Sequence, residues 1–391
     1  MTETLSSRGA ARVAWIRSRM PLLAATRAEF ARSLRFAGHR IGMSLHLEPK
    51  TAVLLETLAA GGAEIVATGN HGSTQDDVVA FLRDQGMTLF GARDDSLDRH
   101  HDNVAAVVAA GPDILLDNGA DLAALVVAQN ATAGIVGGTE ETTSGGNRLR
   151  AELAGAVPFP MIVINDSLLK AIGENKHAVG QSVVESFMRI TNLMVPGRRF
   201  VVAGYGWCGR GVAHYLRALG GKVAVVEIDE LKAFEAAMDG FRVAPLAALA
   251  EWGEVFITAT GQPGILTAGF FDAVADGAVL ANCGHFPWEI DVEALHAAAV
   301  STVRLDDAIE RIELPGGRHV VLLAEGRMMN LAGREPKGNS LESMDLGFLL
   351  QSLSLERVAT TSGLPAGAQP VPDDIDRTIA RRMLAAMGAD R

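Results

Sequence analysis

The chain has 391 residues, 48% hydrophobic and 21% charged, which excludes disorder and a fibrous repeat and predicts two domains. With 42 Gly and 5% aromatic residues the composition suits an α/β protein and not an all-β sandwich. A net charge of -11 argues against a nucleic-acid partner, and only two cysteines, Cys208 and Cys283, predict a reducing, cytoplasmic compartment.

Residues 1–38 read as helical, interrupted by Pro21. The basic N-terminus is followed by no apolar run of signal-peptide or membrane-spanning length, so neither secretion nor a membrane partner is expected. Strands are predicted at 41–47, 64–68, 88–90, 113–116, 133–136 and 161–164, and helices at 49–60, 74–85, 96–110 and 148–153. This alternation implies an open, mostly parallel sheet. A connecting helix is predicted over 174–192. A second alternation follows, with strands at 200–203, 223–227, 255–258, 279–281 and 320–323. Residues 337–353 read as helix, 360–372 as a Pro/Gly/Ala loop, and the end of the chain as a short Arg-rich helix.

The second alternation opens with Phe200-Val-Val-Ala-Gly204-Tyr205-Gly206-Trp207-Cys208-Gly209, a strand running into a glycine loop and then a helix over 212–219. Gly204 permits the turn, Gly206 lets the backbone approach a pyrophosphate, and Gly209 lets helix and strand pack closely. The helix N-terminus supplies N–H donors to phosphate. Glu227 ends the next strand, where it binds both ribose hydroxyls and repels a 2′-phosphate, so the cofactor expected is NAD and not NADP. Thr258-Ala-Thr260-Gly261 and Asn282-Cys-Gly284-His285 each end a further strand, where ligands sit in doubly wound sheets.

In the first half, polar clusters interrupt apolar strand ends: His46-Leu-Glu48-Pro-Lys50-Thr51, Asn70 to Asp76, Asp117 to Asp121, Glu140 to Ser144, and Asn165-Asp-Ser167 followed by Lys170, Glu174 and Asn175. At the C-terminal ends of parallel strands they converge on one sheet edge. Taken singly they have plainer readings: Ser73–Asp76 and Asp166–Ser167 as helix N-caps, and Lys170 with Glu174 as a surface pair. Arg99-His-His-Asp102 reads as a solvated helix face, with no metal expected. Cys208 reads as a passive small residue.

Together, Gly42 to Ala52, Ser73-Thr-Gln-Asp76, Glu140-Glu-Thr-Thr143, Asn165-Asp-Ser167, Val201 to Gly206, Gly284-His-Phe286 and Leu322 to Leu331, in this order, resemble the S-adenosyl-L-homocysteine hydrolase family in its shorter prokaryotic form. The resemblance runs from about residue 38 to about residue 385. It implies a nucleoside-binding domain over 1–178 and 338–370, an NAD-binding Rossmann domain over 179–337, a helical tail over 371–391, and a homo-oligomer, a homotetramer in the family. It also implies the reaction. NAD oxidises the ribose 3′-hydroxyl, which acidifies the 4′-proton; elimination at C5′ expels homocysteine, water adds, and the ketone is reduced back.

By the same resemblance Lys170 would assist 3′-hydroxyl deprotonation, with Glu141 and Asn175 holding the ribose hydroxyls. His46 would protonate the departing sulfur and activate water, aided by His285. Thr51 and Ser144 would bind the nucleoside, and Glu48 and Lys50 the base, leaving hypoxanthine as open as adenine. Thr142, Thr143, Asn175, Thr260 and Asn330 would join Gly204, Gly206, Gly209 and Glu227 in holding NAD.

The departures are as informative. Asp117-Asn118-Gly119-Ala120-Asp121 stands where the family has Asp-Asp-Gly-Gly-Asp, so Asn118 replaces a carboxylate assigned to the 4′-proton step. Gly173-Glu174-Asn175 stands for Phe-Asp-Asn, which puts Glu174 at a catalytic position. Gly338-Asn339-Ser340 stands for the Gly-His-Pro gate, with Asn339 facing substrate. Pro287 and Trp288 replace a smaller pair, and the family's C-terminal Lys/Tyr extension has no counterpart before Arg391. The sequence therefore supports a hydrolase giving adenosine or inosine and homocysteine. Two alternatives stand beside it: an enzyme using the same keto and enone chemistry on a modified nucleoside, and a catalytically silent NAD- and nucleoside-binding regulator.

Overall fold

The computed structural model describes residues 4–284, 287–333 and 336–389. Its chain divides into two units, Met1–Ala171 with Leu341–Arg391, and Ile172–Ser340.

In the first unit, β1 (Arg40–Ser44), β2 (Glu64–Thr68), β3 (Thr88–Phe90), β4 (Ile114–Asp117), β5 (Gly137–Glu140) and β6 (Pro160–Val163) form a parallel sheet. A seventh strand, Gly367–Pro370, pairs in parallel with β6 at the edge, inside the stretch the sequence reads as a loop. The order is the Gly367–Pro370 strand, β6, β5, β4, β1, β2, β3. Strand order thus reverses between β1 and β4, and in an open parallel sheet the ligand crevice opens at the carboxyl ends of the strands at such a point.

Two predicted elements are displaced. The fifth strand lies at Gly137–Glu140 and not at 133–136, and the helix after it spans Thr143–Arg150 and not 148–153. The apolar pair Ile135-Val136 draws the expectation upstream. What pairs with β4 is the glycine pair, because a Cβ on Gly138 would lie 2.4 Å from Leu115 O.

The helix Pro49–Ala60 is buried along most of its length, with Glu48 as N-cap and Pro49 at the first position. Val53, Leu54 and Leu58 pack with Ile41 and Met43 of β1 and with Phe348 and Leu355 of the long helix Leu341–Thr360. Asp345 on that helix accepts from Leu22 N–H at 2.9 Å and Leu23 N–H at 2.8 Å. It thereby caps the helix Pro21–Ser33, whose own N-cap, Met20, makes no side-chain bond.

In the second unit, β7 (Arg199–Ala203), β8 (Lys222–Val226), β9 (Arg242–Val243), β10 (Val255–Thr258), β11 (Ala278–Asn282), β12 (Ser301–Asp306), β13 (Ile309–Glu313) and β14 (His319–Leu323) run in the order β12-β13-β14-β11-β10-β7-β8-β9. From β9 to β14 this is the doubly wound 3-2-1-4-5-6 order of a dinucleotide-binding fold, with its switch point between β7 and β10. The hairpin β12–β13, antiparallel to its neighbours, is an addition that the sequence did not announce. The expected connecting helix is a π-helical stretch, Ala171–Ala178, followed by the α-helix Val179–Thr191. Among the described residues, no helix is long and apolar enough to cross a membrane.

Candidate active site

Residues just past β1 and β4 flank the first unit's switch point. His46 Nδ1 lies 2.7 Å from Ser73 Oγ, and the His46 carbonyl accepts from Thr51 Oγ1 at 2.6 Å. Asn118 Oδ1 accepts from Asn70 Nδ2 at 3.2 Å. Lys50 Nζ sits 3.2 Å from Glu48 Oε1, and Lys50 and Thr51 are buried.

Behind this edge two carboxylates shape the turns. Asp117 accepts the N–H groups of Asn118, Leu122 and Ala123 at 2.9, 3.1 and 2.9 Å. Its register partner Glu140 accepts from Gly119 and Ala120 N–H at 3.0 and 2.9 Å, and from both N–H and hydroxyl of Thr142 at 2.7 Å. Burial pushes Asp117 up to about 7, against the pull of those N–H groups. Burial and the neighbouring Asp117 push Glu140 up to about 8. Ala120 is held in the left-handed region at φ 58°.

Thr142 caps the Thr143–Arg150 helix through Gly145 N–H, and Ser144 Oγ lies 3.0 Å from its hydroxyl. Thr143 Oγ1 accepts from Asn165 at 2.7 Å. Thr142 and Thr143 thus belong to the first unit.

Lys170 and Glu174 do not lie on a solvated helix face, as the surface reading had them. Both residues are buried, and the Lys170 ammonium bonds Glu141 Oε1. The other oxygen of Glu141 accepts from Gln351 Nε2, on the Leu341–Thr360 helix. Sequence reasoning missed Gln351, whose surroundings read as a plain apolar helix. Ser167 does cap the short helix that follows it, accepting from Leu169 and Lys170 N–H. In the Arg99–Asp102 cluster the solvated-face reading fails for His100, which is buried, while its three neighbours are exposed.

In the second unit the glycine loop leaves β7 at Gly204, with φ 97°. A Cβ on Gly209 would meet Gly204 O at 2.0 Å, whereas one on Gly206 would meet nothing within 4 Å. The helix Trp207–Ala218 thus packs hard on the turn while its N-terminal backbone stays open to an approaching phosphate. Glu227 accepts from Tyr205 N–H at 2.7 Å on Oε2, and from Ile228 and Asp229 N–H at 2.8 and 3.0 Å on Oε1. A carboxylate has roughly four lone-pair sites, so room remains for a ribose hydroxyl.

Thr260 bonds Glu289 through N–H at 2.9 Å and hydroxyl at 2.7 Å, and Gly261 N–H bonds it at 2.8 Å. Glu289, fully buried, went unnoticed in the sequence because it follows Pro287-Trp288 in no recognisable motif. Glu174, Asn339, Ser182 and Asn330 form a hydrogen-bonded row with steps of 3.3, 3.3 and 3.2 Å. Asn339 is thus a member of the second unit. Asn330 Oδ1, buried, has no hydrogen-bond partner among the described residues, and an acceptor left so is one that a ligand amide satisfies. Asn175 is half-buried in the π-helical stretch. His285 lies outside the described residues. The glycine cradle, Glu227 and the Asn330 acceptor fit NAD.

A family model described as S-adenosyl-L-homocysteine hydrolase matches residues 4–133, and one for the NAD binding domain of the same enzyme matches residues 175–335. The chain is 42% identical to an S-inosyl-L-homocysteine hydrolase of Methanopyrus kandleri, over 99% of this chain and 92% of that one. It is 40% identical to an adenosylhomocysteinase of Sulfurisphaera tokodaii, over 99% and 94%. A dipicolinate synthase chain from Bacillus halodurans shares the fold, with a TM-score of 0.50 at 12% identity over 83% of this chain and 99% of that one.

Proposed function

Because the chain belongs to the S-adenosyl-L-homocysteine hydrolase family, we propose that this NAD-dependent enzyme cleaves the thioether of a purine nucleoside–homocysteine conjugate, and we assign its residues to the two halves of that reaction. Bound NAD supplies reversible oxidation at C3′ of the ribose. Lys170 moves the 3′-hydroxyl proton and Glu141 holds the hydroxyl. The observation that carries this assignment is the buried Lys170–Glu141 pair with Gln351 on its far oxygen. A buried ion pair contributes little net stability, so its presence at a strand end points to chemistry.

At the other end of the sugar neutral His46 takes the C4′ proton, the C5′–S bond breaks as the C4′–C5′ double bond forms, and the imidazolium gives that proton to the departing thiolate. Water then adds, its oxygen to C5′ and a proton to C4′, with His46 as base. Asn118, an amide, cannot take the C4′ proton and serves to orient. In heavy water, supplied nucleoside should gain deuterium at C4′ while the absorbance of reduced cofactor appears. The assignment is wrong if reduced cofactor forms with neither exchange nor thiol release.

Lys50 gives the base pocket a donor beside the Glu48 acceptor. A donor matches the 6-oxo group of hypoxanthine as an acceptor matches the 6-amino group of adenine, and relatives carry names of both kinds. Parallel assays with the inosyl and adenosyl thioethers, repeated on Lys50→Met, decide between them: the variant should lose the inosyl substrate preferentially. The modified-nucleoside and silent-regulator alternatives gain nothing from these relatives.

The surroundings we assign are cytoplasmic, in keeping with the unbridged Cys208 and Cys283, and the net charge disfavours nucleic acid. Self-association is supported by an exposed apolar stripe: Leu231, Phe234 and Met238 on the helix Glu230–Met238, with Ile228 just before it. Light scattering on the parent and on Phe234→Glu tests it.

A further inference from the structure

The spacing of residues 73–76 predicts a helix cap at Ser73, but the hydroxyl is used elsewhere. The helix begins at Asp76, with Gln75 at its N-cap and no side-chain cap bond. Ser73 Oγ instead lies 2.7 Å from His46 Nδ1 and donates to the carbonyl of Asn70 at 3.1 Å. That carbonyl also accepts from Ser73 N–H at 3.2 Å and Thr74 Oγ1 at 3.3 Å, so it is a fixed acceptor. A hydroxyl has one proton to give and two lone pairs. With the proton on Asn70, Ser73 Oγ accepts from His46, which places the imidazole hydrogen on Nδ1 and leaves Nε2 as the nitrogen that exchanges protons. The side chain of the same Asn70 holds Asn118 Oδ1 at 3.2 Å. One residue therefore anchors the polar groups following both β1 and β4.

We infer that Ser73 is a positioning residue for the elimination half of the reaction, setting the Nδ1–H tautomer of His46 from its anchor on Asn70. The inference rests on the functional reading above, in which His46 gives a proton to the departing sulfur and takes one from the attacking water. Setting the tautomer of a histidine base through its second nitrogen is worth up to about 10⁴ in rate where the partner is a buried carboxylate. A neutral hydroxyl at a half-buried histidine should be worth about tenfold or more.

The test uses the full chain with its cofactor. Nitrogen-15 spectra of histidine-labelled protein, with the His46 signals identified by their loss in His46→Gln, should show neutral His46 protonated at Nδ1 in the parent and a mixture of tautomers in Ser73→Ala. In the same variant, formation of reduced cofactor on adding adenosine or inosine should stay within about twofold of the parent. Thiol release from S-adenosylhomocysteine or S-inosylhomocysteine should fall at least about tenfold in kcat with little change in KM, and Ser73→Thr, which keeps the hydroxyl, should restore it. Parental thiol release in Ser73→Ala, or an Nε2–H tautomer in the parent, overturns the inference. If the parent forms no reduced cofactor with either nucleoside, the functional reading fails instead, and the tautomer measurement still decides the role of Ser73.

Discussion

At the switch point of the second unit the chain takes side chains away, and at that of the first it crowds them in. Gly204, Gly206 and Gly209 bring bare backbone to the place where we propose the dinucleotide is held. His46, Asn70, Ser73, Asn118, Glu141 and Lys170 bring acids, bases and amides to the ends of the first sheet, braced from behind by Asp117 and Glu140. A site made of backbone is intolerant of added volume. A site made of side chains tolerates volume change better than loss of a proton or a donor.

The largest expected effect is in the second unit. Gly209→Ala puts a methyl 2.0 Å from Gly204 O, beyond what a packed interior absorbs, so the protein should purify without NAD and with a sharply lowered Tm. Gly206→Ala has open space around its Cβ and should keep the Tm while losing cofactor; full NAD content in that variant breaks the comparison. Next comes Lys170→Ala in the first unit. Formation of reduced cofactor on adding nucleoside should drop by about 10²–10⁴, with NAD content unchanged and some loss of Tm from the unpaired Glu141 carboxylate.

Glu227→Ala should weaken NAD retention by about 1.5–3 kcal/mol, roughly ten- to a hundredfold, as read by cofactor loss on dialysis. A smaller effect sharpens the picture of the braces. Because burial raises Asp117 to about 7 and Glu140 to about 8, the folded state holds protons that the unfolded chain has released. The stability these two groups contribute is complete below about pH 4 and is lost as pH rises through about 7 and 8. The gap in Tm between the parent and Glu140→Gln should therefore change steadily from pH 5 to pH 8.5; a constant gap would falsify the shift.

Smallest of all is Ala120→Gly. Relief of a left-handed alanine gains about 1–2 kcal/mol, glycine's chain entropy takes back about 0.5–1, and the lost buried methyl about 0.8. Stability should stay within about 1 kcal/mol of the parent in denaturant unfolding. The near balance lets an alanine occupy a left-handed position here.

Much of the fold is legible because strand and helix periods are strong where burial is one-sided or complete. The boundaries of β2, β3 and β10 and of the Pro49–Ala60 helix are readable to the residue. Legibility fails where tertiary pairing overrides propensity. Gly137-Gly138 makes a poor strand in isolation and a good one between β4 and β6. Gly367–Pro370 is an edge strand ending in proline, a tolerated place for it. In the site, residues with motif neighbours stand out, while Gln351 and Glu289 gain their meaning from partners distant in sequence.

That distance has a consequence during synthesis. Glu141 lies 210 residues ahead of Gln351, and at about 5–20 residues per second the ribosome needs roughly 10–40 s to supply the partner. The seventh strand of the first sheet and the acid that caps Pro21–Ser33 emerge as late. The first unit is begun before the second and can be closed only after it, so the second is an insertion that can fold while its host waits unfinished. A nascent chain stopped at Ser340 should therefore carry a competent dinucleotide fold and an open-edged sheet, the species on which a chaperone would act.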